Sequence, residues 1–98
     1  MIDKIKSENM DMLFNAILSL ETVDECYAFF DDLCTSIELK AFSQRMQVAR
    51  LLKEQKVYNQ IVVETGASTA TVSRVNRSLK EGNNGYEMVF ERLGMSIR

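Results

Sequence analysis

The chain has 98 residues, 46% of them apolar and 27% charged, with a formal net charge of −2 and no proline, tryptophan or histidine. That length makes one small domain with a modest private core, because a chain of this size buries only about two-thirds of the surface its unfolded form exposes. No apolar run reaches the roughly 18 residues of a membrane span, the start MIDKIKSENMDM lacks a signal-peptide core, and the missing histidine removes the commonest general base and metal ligand. No catalytic residue and no metal site is expected. The chain is read as a cytoplasmic protein and not as an enzyme.

With no proline and only four glycines, the chain reads as all-α, about six helices joined by short breaks. In SENMDMLFNAILSL, Ser7 is a candidate N-cap, and Glu8 and Asp11 suit the positive end of the helix dipole. Met10, Leu13, Phe14, Ile17, Leu18 and Leu20 follow the helical period, with Met12 and Ala16 widening the stripe. This is more apolar circumference than a surface helix of a small domain buries alone, so the helix crosses the centre or packs on a second subunit.

Thr22-Val23-Asp24-Glu25 has the form of a capping box. The helix it opens carries Val23, Cys26, Tyr27, Phe30, Leu33 and Cys34 on one face. The cysteine spacing of eight is neither a zinc-ligand nor a redox pattern, and both thiols are expected to be buried in a reducing compartment. A second box, Thr35-Ser36-Ile37-Glu38, starts a longer helix that ends near Lys53-Glu54-Gln55-Lys56, and Ser43 marks a point where it could divide. Next come a short helix from about Tyr58 to Thr65, a glycine stop at Gly66 and a new helix capped by Ser68. GNNG at 82–85 ends that helix, and YEMVFERLG forms a last short one.

Charge is unevenly spread along this pattern. Residues 1–39 hold two cations against nine anions (−7), residues 40–80 eight against two (+6), and residues 81–98 two against three (−1). Within GASTATVSRVNRSLK, Gly66 to Lys80, three cations and five hydroxyl side chains occur with no anion. A basic central third can face phosphates while the acidic ends point away.

Residues 58–80 have the spacing of a helix-turn-helix. Ile61 and Val62 give the first helix its apolar contact, Gly66 makes the turn, Ala67 tucks inward, and Val72 and Val75 face back. Thr69, Ala70, Thr71, Ser73, Arg74 and Arg77 then point outward. The major groove, about 12 Å wide, admits such a helix. Small methyl and hydroxyl groups allow close approach, while the arginines and Lys80 reach phosphates or guanine. A hairpin packed inside a bundle would have no use for three outward cations.

The segment GASTATVSRVNRSLK, together with the T-S-I-E start and the QRMQVARLLKEQ helix, resembles the DNA-reading half of the Trp-repressor superfamily, and specifically its Trp-repressor-related (YerC/YecD-type) bacterial branch. The likeness is best over residues 35–80. It implies a single Trp-repressor-like helical domain over residues 1–98, forming an intertwined homodimer that binds a pseudo-palindromic operator in double-stranded DNA. By the same resemblance, Asn59 lies where the first reading helix touches DNA. Ser68 caps the recognition helix, Thr69, Ala70 and Thr71 begin it, and Ser73 and Lys80 match phosphate-contacting positions. Arg77 joins them as an outward cation.

The resemblance also implies a candidate ligand pocket. Arg74 matches an arginine that lies over the bound indole in the Trp repressor, and Ser78 a serine near the ligand amine. An ungapped match puts Gln44 at the second, sandwiching arginine, with Arg45 one step off. Where the Trp repressor has glycine after the first arginine, this chain has Val75, which would fill the room beside the ring. No cofactor is expected, tryptophan included. The reading is a sequence-specific regulator, a repressor; an amino-acid-gated regulator and a helical module that binds protein or RNA are the alternatives.

Overall fold

A computed structural model describes residues 2–95 of the chain. Among them are a short 3-10 turn (Ile2–Lys4) and six α-helices with no strand: α1 (Glu8–Leu18), α2 (Val23–Leu33), α3 (Ser36–Lys53), α4 (Tyr58–Thr65), α5 (Thr69–Glu81) and α6 (Gly85–Arg92). No helix among the described residues is long and apolar enough to cross a membrane. The chain divides into two compact units, Met1–Ser36 and Ile37–Arg98.

The first unit holds α1 and α2. Its helix starts are set by caps that the sequence spells out. Ser7 Oγ accepts the Met10 amide at 3.0 Å, and Thr22 Oγ1 accepts the Glu25 amide at 3.1 Å. The return bond of the Thr22 box falls one residue earlier than expected: Glu25 Oε1 accepts the amide of Glu21 at 2.9 Å. Among the described residues of this unit none is buried, and Leu18 and Tyr27 are 80% and 75% exposed. Phe29 and Phe30 meet edge to face at 5.6 Å. The expected burial of the two thiols is therefore corrected: Cys26 is exposed and Cys34 half-buried. Helical spacing put them beside apolar residues, but that face is exposed at Val23, Cys26, Tyr27 and Leu33 and only half-buried at Phe30 and Cys34.

The second unit has a private core. Val48, Ala49 and Leu51 of α3 pack with Ile61 of α4, Ala67 of the turn, Val72 and Val75 of α5 and Phe90 of α6. Burial of apolar side chains at this density is the main favourable term in folding. α3 runs unbroken through Ser43. It stops where Gln55 takes a left-handed conformation, φ 65°. There the Lys56 amide returns to the Leu51 carbonyl at 3.0 Å and the Gln55 amide to Leu52 at 2.9 Å, the pattern of a Schellman motif with glutamine in the position usually held by glycine. Lys53 Nζ reaches Glu87 Oε1 at 2.8 Å, joining the end of α3 to α6.

The α4–α5 turn is built from three adjacent signals. Thr65 Oγ1 donates to the Ile61 carbonyl at 2.7 Å and accepts the Ala67 amide at 3.1 Å. Gly66 is left-handed, φ 72°, and Ser68 opens α5. Two substitutions test this arrangement. Ile61→Ala should cost about 2–5 kcal/mol, the range for a large aliphatic side chain removed from a packed core. Gly66→Ala should cost about 1–2 kcal/mol, because the left-handed backbone penalises a Cβ. Denaturant unfolding at fixed protein concentration measures both.

Candidate nucleic-acid interface

The rotation of α5 about its axis sets which of its side chains face solvent. At about 100° per residue, Val72, Val75 and Leu79 share one sector of the helix, and Ala70, Arg74 and Arg77 share the opposite one. Val72 and Val75 are 0% and 2% exposed, so the first sector is seated on the core and the second faces solvent. Thr69, Ala70, Ser73, Arg74, Arg77 and Lys80 are all exposed, as are Asn59 in the first turn of α4 and Ser68. Thr71 departs from the outward expectation. It is half-buried, and its hydroxyl oxygen is engaged by Ser68.

Ser68 does double duty at the start of α5. Its Oγ accepts the Thr71 amide and donates to Thr71 Oγ1, both at 3.1 Å. One hydroxyl thus satisfies a free helix amide and fixes its neighbour's oxygen against the first turn.

The electrostatics separate α5 from α3. Arg50 is held by Glu54 at 3.1 Å and by Gln47 at 2.8 Å, Lys53 by Glu87, and Arg45 lies over the Phe42 ring, 5.8 Å from its centroid. Arg74, Arg77 and Lys80 have no ion-pair partner among the described residues. Spaced three apart, they are like-charged neighbours on the helix surface, which costs a few tenths of a kcal/mol per pair. A polyanion laid along that face would reverse the sign of the cost.

Of the four candidate ligand-pocket residues, Gln44 and Ser78 line different hollows. Gln44 Nε2 donates to the Thr65 carbonyl at 3.2 Å, tying α3 to the end of α4. It lines a hollow of about 850 Å³ whose charged rim includes Lys40, Arg50, Lys56, Glu54 and Glu64. Ser78 lines a different hollow, of about 440 Å³, with Met46, Tyr86 and Met88. Neither hollow is lined by Arg45 or Arg74. Sequence reasoning missed what Gln44 does, because a bond to a carbonyl 21 residues away leaves no periodic signal.

α4, the left-handed Gly66 turn and α5 define a helix-turn-helix protein. The sequence profile of the family described as Trp repressor protein matches residues 8–94. The chain belongs to that family. It is 54% identical over 92 residues to the uncharacterized protein YerC of Bacillus subtilis (strain 168), covering 94% of this chain and 88% of that one. Among solved structures it is similar to a candidate Trp repressor from Staphylococcus aureus, with a TM-score of 0.94, 49% identity, and 99% and 97% of the two chains covered. A TrpR like protein from Eubacterium eligens ATCC 27750 gives a TM-score of 0.92 at 54% identity, covering 98% of this chain and 99% of that one.

The cap gives a prediction that separates folding from any surface role. Ser68→Ala should cost about 1 kcal/mol of stability, whereas Ser68→Asp should be nearly neutral, because aspartate caps as well as serine and its charge suits the helix N-terminus. Thermal melts of the two variants beside the wild type check this.

Proposed function

We propose that this protein is a sequence-specific regulator of transcription, a cytoplasmic repressor without catalytic activity, that binds a pseudo-palindromic operator in double-stranded DNA as an intertwined homodimer. The observation that carries the reading is the solvent side of α5: Arg74, Arg77 and Lys80 are exposed and unpaired among the described residues, while Val72 and Val75, turned to the core, are at most 2% exposed. A helix so mounted presents small side chains at its start and cations along its length, which is what entry into a major groove flanked by phosphates requires. Ser68, Ser73 and Lys80 are placed in this reading against the backbone, Asn59 beside the first helix's contacts, and Arg74 and Arg77 at phosphate or guanine. Membership in the Trp repressor protein family supports the same assignment.

The homodimer is supported by the apolar faces of α1 and α2, which have no buried residue in the single chain. A second copy is the surface that would cover Met12, Phe14, Leu18, Val23 and Tyr27, and on that footing the 98 residues act as one domain. No ligand is needed to dock the reading helix, since Val72 and Val75 already sit in the core.

In vitro selection of duplexes from random DNA, with and without L-tryptophan, tests the proposal. It should return one pseudo-palindrome under both conditions, with half-sites about one helical turn (34–36 Å) apart. Failure to enrich any duplex refutes DNA binding. On the selected duplex, log affinity should fall with log salt at about −0.9 per neutralised phosphate. Arg74→Ala and Arg77→Ala should each flatten the slope by roughly two, one contact per subunit, without dissociating the dimer. Ser68→Asp should bind more weakly than wild type although it folds as stably, because its carboxylate meets phosphates. In sedimentation the protein should run as a dimer at micromolar concentration; a well-folded monomer contradicts the assembly.

A further inference from the structure

α4 and α5 pack on each other as one reading head, and α3 grips that head over a short length. The buried residues of α3 are Val48, Ala49 and Leu51, a span of about 4.5 Å along the helix axis. Apolar contact is non-directional, so a grip confined to one turn resists separation better than it resists pivoting. Gln44 lies one turn ahead of Val48, about 6 Å up the axis and on nearly the same face. Its Nε2 donates to the Thr65 carbonyl at 3.2 Å. That carbonyl belongs to the last residue of α4, where a helix supplies no partner of its own. The Thr65 hydroxyl is already committed to the Ile61 carbonyl and the Ala67 amide. Gln44 therefore adds a second, directional anchor outside the turn that carries the apolar one.

We infer that Gln44 is a positioning residue that fixes the angle of the reading head on α3 and so sets which half-site spacing the protein accepts. This rests on the DNA-binding homodimer proposed above and deepens it by naming what controls its geometry. In a homodimer each subunit carries one head, so any pivot of α4 and α5 on α3 moves one reading helix relative to the other. Adding or removing one base pair between half-sites shifts the second by about 3.4 Å and turns it by about 35°. Heads held at two points cannot follow that change without breaking the Gln44 bond; heads held at one turn can. Gln44 acts here through Thr65 and not by touching DNA. Because it lines an open hollow of about 850 Å³, water reaches the Thr65 carbonyl once the side chain is shortened. Loss of the anchor therefore costs little stability while it loosens the head.

In the test, the full-length protein is titrated against duplexes that share the half-sites returned by selection and differ only in spacer: the selected length, one base pair longer and one shorter. The ratio of affinities between selected and altered spacers is read for the wild type, Gln44→Ala, Gln44→Glu and Gln44→Lys. Glutamate keeps the size and removes the donor; lysine keeps a donor. The wild type should discriminate against both altered spacers. Gln44→Ala and Gln44→Glu should each lose about two- to tenfold of that ratio, the worth of one hydrogen bond. Gln44→Lys should keep most of it, and its added charge cancels in the ratio because the duplexes carry nearly the same phosphates. Equal weakening on every duplex, unchanged ratios, or a wild type indifferent to spacer length overturns the positioning role and leaves the regulator reading standing. Circular dichroism checks folding, and if one variant is unfolded the other carries the comparison. Should both Gln44→Ala and Gln44→Glu fail to fold, Gln44 is a structural residue and the positioning role falls. A library from which no duplex is retained overturns both readings.

Discussion

The contact of Ile61 with Val72 and Val75, made across the left-handed turn at Gly66, fixes everything that α5 presents to solvent. A helix rotated by one residue position turns by about 100°, enough to bring a buried valine to the surface and swing a cation toward the core. Burying an unpaired charge is far more costly than exposing a methyl group, so the valines and arginines together permit one rotation. The turn enforces the same setting through the Thr65 hydroxyl on its upstream side and the Ser68 hydroxyl downstream. Gln44 then anchors the end of α4 to α3.

Stability is unequally distributed between the two units. The second has buried side chains from four helices and the connecting turn, whereas the helices of the first have none. Burial of a large aliphatic or aromatic side chain contributes roughly 1.5–3 kcal/mol, so a single copy forgoes most of what α1 and α2 can offer. On the proposed homodimer, folding of the first unit and association become one event, with stability that depends on protein concentration.

The charge pattern has a similar economy. The protein is acidic overall, yet at physiological salt a charge acts mainly within about 8–10 Å. The field at α5 is thus set by its neighbours and not by the net value. α3 spends Arg50 and Lys53 on internal partners, while α5 keeps three cations unmatched. Unmatched like charges along one helix are a small intrinsic cost, and a phosphate backbone is a partner that relieves it.

The helix starts at Ser7, Thr22 and Ser68, the stop at Gly66 and the bounds of α4 were legible in the sequence, because each rests on bonds between residues only a few positions apart. The inward set of α5 was legible too, since Ile61, Val72 and Val75 carry the helical period. Three features were not. Gln55 adopts the left-handed conformation that glycine usually advertises; Cys26 is exposed although helical spacing sets it among apolar residues; and Gln44, matched by letters to a ligand-binding position, holds a distant carbonyl. Sequence alone determined the caps at Ser7, Thr22 and Ser68 and the inward face of α5. Tertiary structure alone decided which apolar faces found cover and which cations were paired. Those outcomes depend on which remote groups meet, and periodicity does not encode that.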